Sequence, residues 1–435
     1  MARPIQLVGP DVSPDRMEGT STLLVDLDAI THNVGALRSL GDPDVRFCAV
    51  LKADGYGLGA PGIAKAIAGA GGAMLAVFSP EEAGHLLEQN LPILVLMPAR
   101  GENLSDHIVQ AVRTGRLHFV VHDARQMESL DALGLRLGTR VPVHLKIDTG
   151  LHRGGCGSRD AVVLVRAIQR SAGLVLTGLM THFAQAASCE TTTANQMRQL
   201  CSIRDSIGTD IPPDVIVHAA GTCGLLRGAD YHADMVRIGL GWSGYLTPAA
   251  SSLVGRLPVP LQPSVTWRSR IALVRTIACG ERVGYGGRWI AERPTRLGVI
   301  PVGYADGYPQ DGGHPVDGGP GLAVGLPSLS LDEQATVPII GRVSMDQIMV
   351  DLTDAPQETD VETPVDLISA MPGSACGLEN LSRRLKRPPH AILVQIHARI
   401  TRRHISAQKP LESRQQILAE TGESCPLSSA SAVAG

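Results

Sequence analysis

A single lysine stands where a buried strand is predicted to end and a glycine-rich turn to begin. The apolar run 47–51 precedes Lys52, and Gly55, Gly57 and Gly59 follow it. Side chains at the carboxyl ends of strands in α/β proteins meet ligands. Taking an isolated ammonium group out of water lowers its pKa and leaves a nucleophilic amine. The stretch therefore predicts a reactive lysine, the alternative being a lysine that merely extends to solvent.

Other polar side chains follow four further predicted strands. A lone histidine after a strand is more often a satisfied polar residue than a catalyst. The carboxyl ends of parallel barrel strands share one face, however, so residues after several strands meet. These side chains stand in the segments 144–153, 181–184, 218–222 and 235–240 and include His144, Lys146, Arg153, His182, His218, Thr222 and Arg237. Their joint placement predicts one shared site.

The elements that must position these residues alternate between strand and helix. Helical patterns separate nearly all of the β-rich apolar runs, which predicts a parallel sheet. The runs lie at 47–51, 74–78, 92–97, 118–122, 141–147, 174–181, 215–218 and 235–238. Eight such strands in about 200 residues predict a (β/α)8 TIM-like barrel. A Rossmann sheet is the rival, but no GxGxxG motif follows the first strand.

A second unit of different character follows the barrel. Prolines at 258, 260 and 263 indicate a linker, after which helical periodicity largely disappears. Strands are predicted at 267–277, 296–302, 336–340, 347–352 and 391–400, with one helix at 378–385. The predicted α/β barrel spans 21–254, with its first strand, 21–27, free to join the other unit. A mostly antiparallel β domain is predicted to span 255–407. A flexible leader, 1–20, is predicted before the barrel, and a disordered tail, 408–435, after the β domain.

Composition narrows the function. The 435 residues are 44% hydrophobic with a net charge of −3, so no basic excess suggests nucleic acid. No run of eighteen apolar residues predicts a membrane span, and the first twenty residues do not form a signal peptide. Eight cysteines without metal-like spacing predict reduced thiols in a cytoplasmic protein that holds no metal.

The stretch around Lys52 resembles a known motif. Residues 52–59, KADGYGLG, resemble the cofactor-lysine motif of alanine racemases, in which the lysine forms a Schiff base with pyridoxal phosphate. The four segments after the barrel strands share this resemblance, and so do 284–286, 301–308 and 341–347. The resemblance runs from about residue 21 to 404. It implies a pyridoxal-phosphate-dependent racemase that interconverts L- and D-alanine and supplies D-alanine for peptidoglycan.

The resemblance also implies roles for single residues. Lys52 holds the cofactor and acts as one base, and Tyr285, from the other subunit of a homodimer, is the second base. Arg237 faces the pyridine nitrogen, and His182 links Arg237 toward the second base. The cofactor phosphate is bound at Tyr56, Thr222, Gly239 and Leu240.

Three further residues match positions that serve the substrate. Arg153 lies near the phenolic oxygen of the cofactor and the carboxylate of a small amino-acid substrate. Lys146 matches a lysine that is carbamylated in many members, and a carbamate there would pair with Arg153. Met345 matches a position whose backbone N–H contacts the substrate carboxylate across the dimer interface.

Some positions depart from the usual family pattern and keep alternatives open. Gly154 stands in place of a leucine, and Ala398 stands where some members put a tyrosine beside the cofactor. Small residues there would suit a broader-specificity racemase that accepts serine or larger side chains. A non-catalytic barrel protein that binds pyridoxal phosphate is an alternative of another class, although such proteins resemble the barrel alone. A decarboxylase of similar architecture usually has an acidic residue where Arg237 stands.

Overall fold

The structure, a computed structural model, describes residues 19–314, 321–326 and 334–406. All but the last two residues of the predicted leader, 1–20, lie outside these ranges. The whole predicted tail, 408–435, also lies outside them. Within the described residues, no helix combines the length and the apolar character that crossing a bilayer requires.

The chain begins with a strand that does not join the barrel. Strand β1 (Ser21–Asp26) pairs with two strands of the second unit described below, so it belongs to that unit's sheet. Helix α1 (Leu27–Arg38) follows at once, and Asp26 caps it by accepting hydrogen bonds from the N–H groups of Asp28 and Ala29 at 2.9 and 3.0 Å. The capping carboxylate thus marks the passage from one unit to the other.

Eight parallel strands then form the predicted barrel. They are β2 (Arg46–Val50), β3 (Met74–Val77), β4 (Ile93–Val95), β5 (Leu117–Val121), β6 (Val141–Lys146), β7 (Leu174–Met180), β8 (Ile216–His218) and β9 (Met235–Ile238). The helices between them are α2 (Lys52–Gly57), α3 (Ala60–Gly69), α4 (Pro80–Gly84), α5 (Asp106–Arg113), α6 (Ala124–Leu137), α7 (Ser158–Arg170), α8 (Glu190–Ile207) and α9 (Thr222–Arg227). In the sheet, the strands have the spatial order 8-7-6-5-4-3-2-9, and every neighbouring pair of strands is parallel.

Single hydrogen bonds nearly close the barrel between β8 and β9. The N–H of Asp234 donates to the carbonyl of Val217 at 3.0 Å, and the N–H of Arg237 donates to the carbonyl of Ala220 at 2.8 Å. All six residues of β6 are buried, as a sheet covered on both faces requires. The prediction of an eight-stranded α/β barrel is confirmed.

The second unit is a nine-stranded sheet with a small hairpin. Its strands are β10 (Val265–Arg270), β11 (Leu273–Ile277), β12 (Arg282–Val283), β13 (Trp289–Ile290), β14 (Thr295–Ile300), β15 (Ala323–Gly325), β16 (Thr336–Ile340), β17 (Ile348–Asp351), β18 (Pro364–Ile368) and β19 (Thr401–Ile405). The sheet has the order 11-14-17-16-15-18-10-1-19 and is antiparallel except between β1 and β19. Strands β12 and β13 form the hairpin. The prediction of a mostly antiparallel β domain is also confirmed.

The last predicted strand, 391–400, is wrong. This region holds the short helix α11 (Pro389–Leu393), and the strand comes later, as β19. Proline at the first position of a helix has a suitable φ and lacks only an N–H that would have no partner. The side chains of Ile392 and Leu393 are buried in the main hydrophobic core. The helix predicted at 378–385 is present as α10 (Leu378–Leu385).

Candidate active site

A left-handed turn presents Lys52 at the end of β2. Ala53, Asp54, Gly55 and Tyr56 have φ values of 52, 53, 63 and 59°. Left-handed backbone costs roughly 1–2 kcal/mol for each residue that carries a Cβ. Such strain persists where the surrounding structure enforces it, commonly at functional sites. This turn therefore needs partners that hold it.

A cavity of about 530 Å³ opens at the carboxyl ends of the barrel strands. It brings together most of the barrel residues that the sequence nominated: Lys52, Tyr56, Lys146, Arg153, His182, Thr222, Arg237, Gly239 and Leu240. His144 and His218, which were expected at the same site, are fully buried and do not line the cavity. The barrel topology explains the gathering, because these lining residues lie at or just after the carboxyl ends of strands β2, β6, β7, β8 and β9.

Tyr56, Thr222 and the segment after β9 form one wall of the cavity. A Cβ placed on Gly239 would lie 2.5 Å from Tyr56 Oη, and one on Gly241 would lie 2.6 Å from Thr222 Cγ2. Thr222 begins α9, and Leu240 begins a 3₁₀ turn. The first amides of a helix have no acceptor within it, so they suit an anion. Burial raises the pKa of Tyr56 to about 12, which keeps its hydroxyl protonated as a donor.

Arg237 is a buried cation surrounded by neutral acceptors. Its Nη1 lies 2.8 Å from Nδ1 of His218, and its Nη2 lies 3.0 Å from Nδ1 of His182. Nη2 also donates to the carbonyls of Thr181 and Ala219, at 2.7 and 2.9 Å. Burial lowers the pKa of Arg237 to about 10, so the guanidinium remains charged at neutral pH. These bonds fix the guanidinium plane without using Nε.

Three histidines extend this network into the barrel, of which His218 and His144 are fully buried and His118 is half-buried. His218 Nε2 lies 2.8 Å from His144 Nδ1, and His144 Nε2 lies 3.0 Å from His118 Nδ1. Because arginine only donates, His218 accepts at Nδ1 and carries its proton on Nε2. The same logic places the proton of His144 on Nε2. Sequence analysis treated His118 only as the start of a strand, since the pairing of these rings depends on the strand register.

Positive charge accumulates at the cavity. Burial lowers the pKa of Lys52, Arg153 lowers it further, and Glu82 opposes the shift. Burial, with Arg153 and then Arg237, lowers the pKa of Lys146 to about 8. Burial lowers the pKa of His182 to about 3, mainly with help from Arg237. Such a cavity suits an anionic ligand and favours neutral amines on its lysines.

His390 is a cavity residue that sequence analysis missed. It lines the cavity from α11, and its ring centroid lies 6.3 Å from that of Tyr56. Ala398, which was expected beside the cofactor, is instead exposed and does not line the cavity of the described chain. The error has the same origin as the strand wrongly predicted over 391–400. Because this region begins with the helix α11, the residue that lines the cavity is His390, next to Pro389, and not Ala398.

Gly154 does not add room for a side chain. Its φ is +101°, and a Cβ there would lie 2.7 Å from Nδ1 of His122, which lines the cavity. Backbone conformation and the neighbouring ring both require glycine at this position. The two substitutions that suggested a broader pocket therefore lend it no support.

Tyr285 and Met345 lie apart from the cavity. Both belong to the β domain, where their side chains are 72% and 54% exposed. Neither lines the cavity of its own chain. Among the described residues, no group of three histidines, cysteines or acidic side chains could hold a metal ion.

Family models match both units of the chain. The model described as alanine racemase, N-terminal domain, matches residues 25–247, and the model described as alanine racemase, C-terminal domain, matches residues 264–404. A barrel followed by a β domain, with a lysine at the barrel mouth, is thus the arrangement of one enzyme class. The chain belongs to the alanine racemase family.

Individual relatives and solved structures agree with this assignment. The alanine racemase of Xanthomonas campestris pv. campestris is 35% identical over 402 residues, 85% of this chain and 98% of that protein. That of Desulfosudis oleivorans is 30% identical over 394 residues, 87% and 95% of the two chains. The crystal structure of the alanine racemase from D-cycloserine-producing Streptomyces lavendulae has a TM-score of 0.78 at 26% identity and covers 92% and 99%. The Bartonella henselae enzyme, with covalently bound pyridoxal phosphate, has a TM-score of 0.72 at 25% identity and covers 89% and 100%.

The cavity fits pyridoxal phosphate. A lysine with a lowered pKa lies at one end, and the amides beside Thr222 and Gly239 lie where an anionic phosphate would be stabilised. The Tyr56 hydroxyl supplies a neutral donor close to Gly239. Arg237 lines the cavity as a fixed donor, as a ring nitrogen would need.

Proposed function

We propose that the chain is a pyridoxal-phosphate-dependent alanine racemase that interconverts L- and D-alanine. The observation that carries this proposal is one cavity that holds Lys52, Arg237 and two helical amide turns at the barrel mouth. The family relationship supports the further proposal that the enzyme works in the cytoplasm and supplies D-alanine for peptidoglycan.

Pyridoxal phosphate, when bound, draws electrons from the α-carbon of an amino acid and makes its proton removable. Arg237 would donate to the ring nitrogen while keeping its own proton, because its pKa stays at about 10. A ring nitrogen that accepts a hydrogen bond from arginine stays unprotonated. The cofactor ring then withdraws electrons less strongly than a ring whose nitrogen is protonated and paired with a carboxylate. We expect this to favour prompt return of a proton to the α-carbon over transamination.

Racemisation needs one proton-transfer group on each face of the α-carbon. Lys52 would serve one face, since burial and Arg153 favour its neutral amine. Tyr285 would serve the other face, with His182 linking Arg237 toward it. Arg153 would bind the substrate carboxylate with its planar fork.

The two bases belong to different chains in this proposal. Tyr285 and Met345 are large side chains exposed on the β domain, and neither lines the cavity of its own chain. A homodimer in which each β domain covers the partner's barrel would complete both sites. The symmetry of such an isologous interface gives two equivalent sites.

Lys146 is proposed to be carbamylated. Only a neutral amine reacts with carbon dioxide, and the pKa of about 8 leaves a sizeable neutral fraction at neutral pH. The product would replace a cation with an anion beside Arg153 and relieve the local excess of positive charge.

The alternatives gain no specific support. The broad-specificity proposal depended on Ala398 and Gly154, which provide no additional space in the described cavity. A barrel that only binds the cofactor would not require the matched C-terminal domain.

Borohydride reduction followed by peptide mass mapping tests the proposed cofactor site. We expect the reduced cofactor on Lys52 and no such adduct in Lys52→Ala. A label on Lys65 or Lys146 of the wild-type protein would contradict the assignment.

A further inference from the structure

Glu82 connects the end of one barrel strand to the turn that presents Lys52. Its Oε1 accepts a hydrogen bond from the N–H of Ala53 at 2.9 Å. Its Oε2 accepts one from the N–H of Phe78 at 2.7 Å. Ala53 is the neighbour of Lys52 in sequence, and Phe78 follows β3 and lines the cavity. One carboxylate therefore joins the backbones that follow two neighbouring barrel strands, β2 and β3.

This use of Glu82 departs from the usual local pattern. Ser79 is the N-cap of α4, and its Oγ accepts a hydrogen bond from the N–H of Glu82 at 3.4 Å. In a capping box, a glutamate at this third helical position would reach back to the N–H of the N-cap residue. Both oxygens of Glu82 are directed instead to Phe78 and Ala53. Glu82 thus does not complete the capping box of α4 and bonds instead to the turn after the neighbouring strand. Departures of this kind from a local rule are expected at functional sites.

The turn is one that needs such a contact. Ala53 is the first of four consecutive left-handed residues and carries a Cβ. Gly55 N–H donates to the carbonyl of Leu51 at 2.8 Å, and Asp54 Oδ1 accepts a hydrogen bond from the N–H of Ala60 at 2.8 Å. Neither bond involves the amide of Ala53. A charge-assisted bond to the Ala53 amide is stronger than a neutral one and fixes the orientation of its peptide plane.

The charge of Glu82 also acts on the lysine. Burial, and then Arg153, lowers the pKa of Lys52, and Glu82 raises it. Loss of the negative charge would therefore leave more neutral amine on Lys52 at a given pH. The charge of Glu82 disfavours the neutral amine of Lys52, whereas its hydrogen bonds would hold that amine in place. These two effects on the reactivity of Lys52 have opposite signs, so variants of Glu82 can distinguish them.

We propose that Glu82 is a positioning residue that holds the left-handed turn and so aims the Lys52 amine into the cavity. The inference rests on the proposed function, because it concerns the lysine that would hold pyridoxal phosphate. Glu82 itself touches backbone amides only, so it is not a catalytic residue.

Three variants separate position from charge. Glu82→Gln removes the charge and leaves one acceptor oxygen for two amides. Glu82→Asp keeps the charge but shortens the side chain, so that it cannot span both amides. Glu81→Gln is the matched control, since Glu81 is an exposed neighbour on the same helix. Circular dichroism and thermal unfolding would confirm that each full-length variant is folded.

Two readouts are needed, neither of which is catalytic activity. The titration of the Lys52 amine is followed in full-length, cofactor-free protein by trace acylation and peptide mass spectrometry. The rate at which Lys52 captures added pyridoxal phosphate is followed by borohydride trapping of timed samples.

We expect Glu82→Gln to lower the titration midpoint of Lys52 by about one pH unit. It should nevertheless slow capture by about 10- to 100-fold, because a misplaced amine reacts slowly. Glu82→Asp should slow capture without moving the midpoint, and Glu81→Gln should match the wild type in both readouts.

Faster capture by Glu82→Gln, with wild-type capture by Glu82→Asp, would show a charge effect alone and overturn the positioning role. Capture by both Glu82 variants at the rate of Glu81→Gln would overturn it as well. If the wild-type protein itself captured no cofactor on Lys52, the proposed function would fail and the inference with it. The first two outcomes leave the proposed function intact.

Discussion

Nη1 of Arg237 lies 2.8 Å from Nδ1 of His218, so an arginine that can only donate fixes the tautomer of a buried histidine. His144 and His118 continue the same directional chain, with separations of 2.8 and 3.0 Å. Each imidazole must remain neutral for the chain to persist. Burial accordingly lowers the pKa of all three rings, that of His118 to about 4.

Acid should therefore unfold the protein through these histidines. In the unfolded chain a histidine has a pKa of about 6.5, so below that pH the unfolded state binds more protons. The stabilisation is present above about pH 6.5 and is lost as the pH falls toward the lowered folded values. Each such histidine contributes a slope of about 1.4 kcal/mol per pH unit in that window.

Proton uptake on unfolding measures this effect directly. At pH 5, unfolding of His118→Asn in urea should take up about one proton fewer than unfolding of the wild type. Asparagine keeps an acceptor for the N–H of His144 but does not titrate. His107→Asn, at an exposed position, is the control. Equal uptake by the wild type and His118→Asn would show that His118 is protonated in the folded protein at this pH.

Tyr285→Phe should affect the two directions of racemisation unequally. If Tyr285 takes the proton from the L enantiomer, loss of its hydroxyl should slow α-proton exchange from L-alanine more than exchange from D-alanine. The measurement is exchange of each enantiomer into solvent under single-turnover conditions. Tyr231→Phe, a buried barrel tyrosine that packs against Phe183, should change neither rate selectively. Equal losses for Tyr285→Phe would mean that the two bases are not divided by face.

Heterodimers should recover activity from two inactive parents. In a random mixture of Lys52→Ala and Tyr285→Phe chains, half of the dimers are mixed and each has one intact site. Activity should therefore return to about a quarter of the wild-type value if sites are shared between chains. Subunit exchange is verified by native mass spectrometry. Failure to recover activity despite exchange would indicate that each site is built within one chain.

Substrate size should depend on His390 and not on Ala398. His390 lines the cavity near Tyr56, so His390→Ala should enlarge the space and raise kcat/KM for serine relative to alanine. A change of one methylene or hydroxyl is worth about 1–3 kcal/mol in such a pocket, so the ratio should shift by about tenfold. Ala398→Tyr, at an exposed position, should leave the ratio unchanged. The reverse pattern would restore Ala398 as the residue that limits substrate size.

Sequence patterns predicted the barrel and its cavity well, for a physical reason. Strands of a parallel sheet are buried on both faces, so they appear as continuous apolar runs; the runs at 74–78 and 235–238 coincide with β3 and β9 to within a residue. Lys52 directly follows one such run and Arg237 lies near the end of another, and topology alone brings strand ends together.

Other features depended on contacts that no local pattern encodes. The left-handed turn after Lys52 includes Ala53 and Tyr56, whose own preferences oppose that conformation. The hydrogen bond between Glu82 and the amide of Ala53 depends on helix α4 lying beside the turn after β2, which no local pattern shows. His390 was missed because a strand was predicted over 391–400, whereas burial of Ile392 and Leu393 accompanies a helix that already begins at Pro389.

The central claim is that this chain moves the α-proton of alanine between two faces. Incubation with L-alanine in heavy water, followed by chiral separation and mass analysis, tests it most directly. We predict D-alanine that carries deuterium at the α-carbon, formed by the wild-type protein loaded with pyridoxal phosphate and not by Lys52→Ala. An absence of both deuterium and D-alanine in a wild-type protein that demonstrably holds the cofactor would contradict the account.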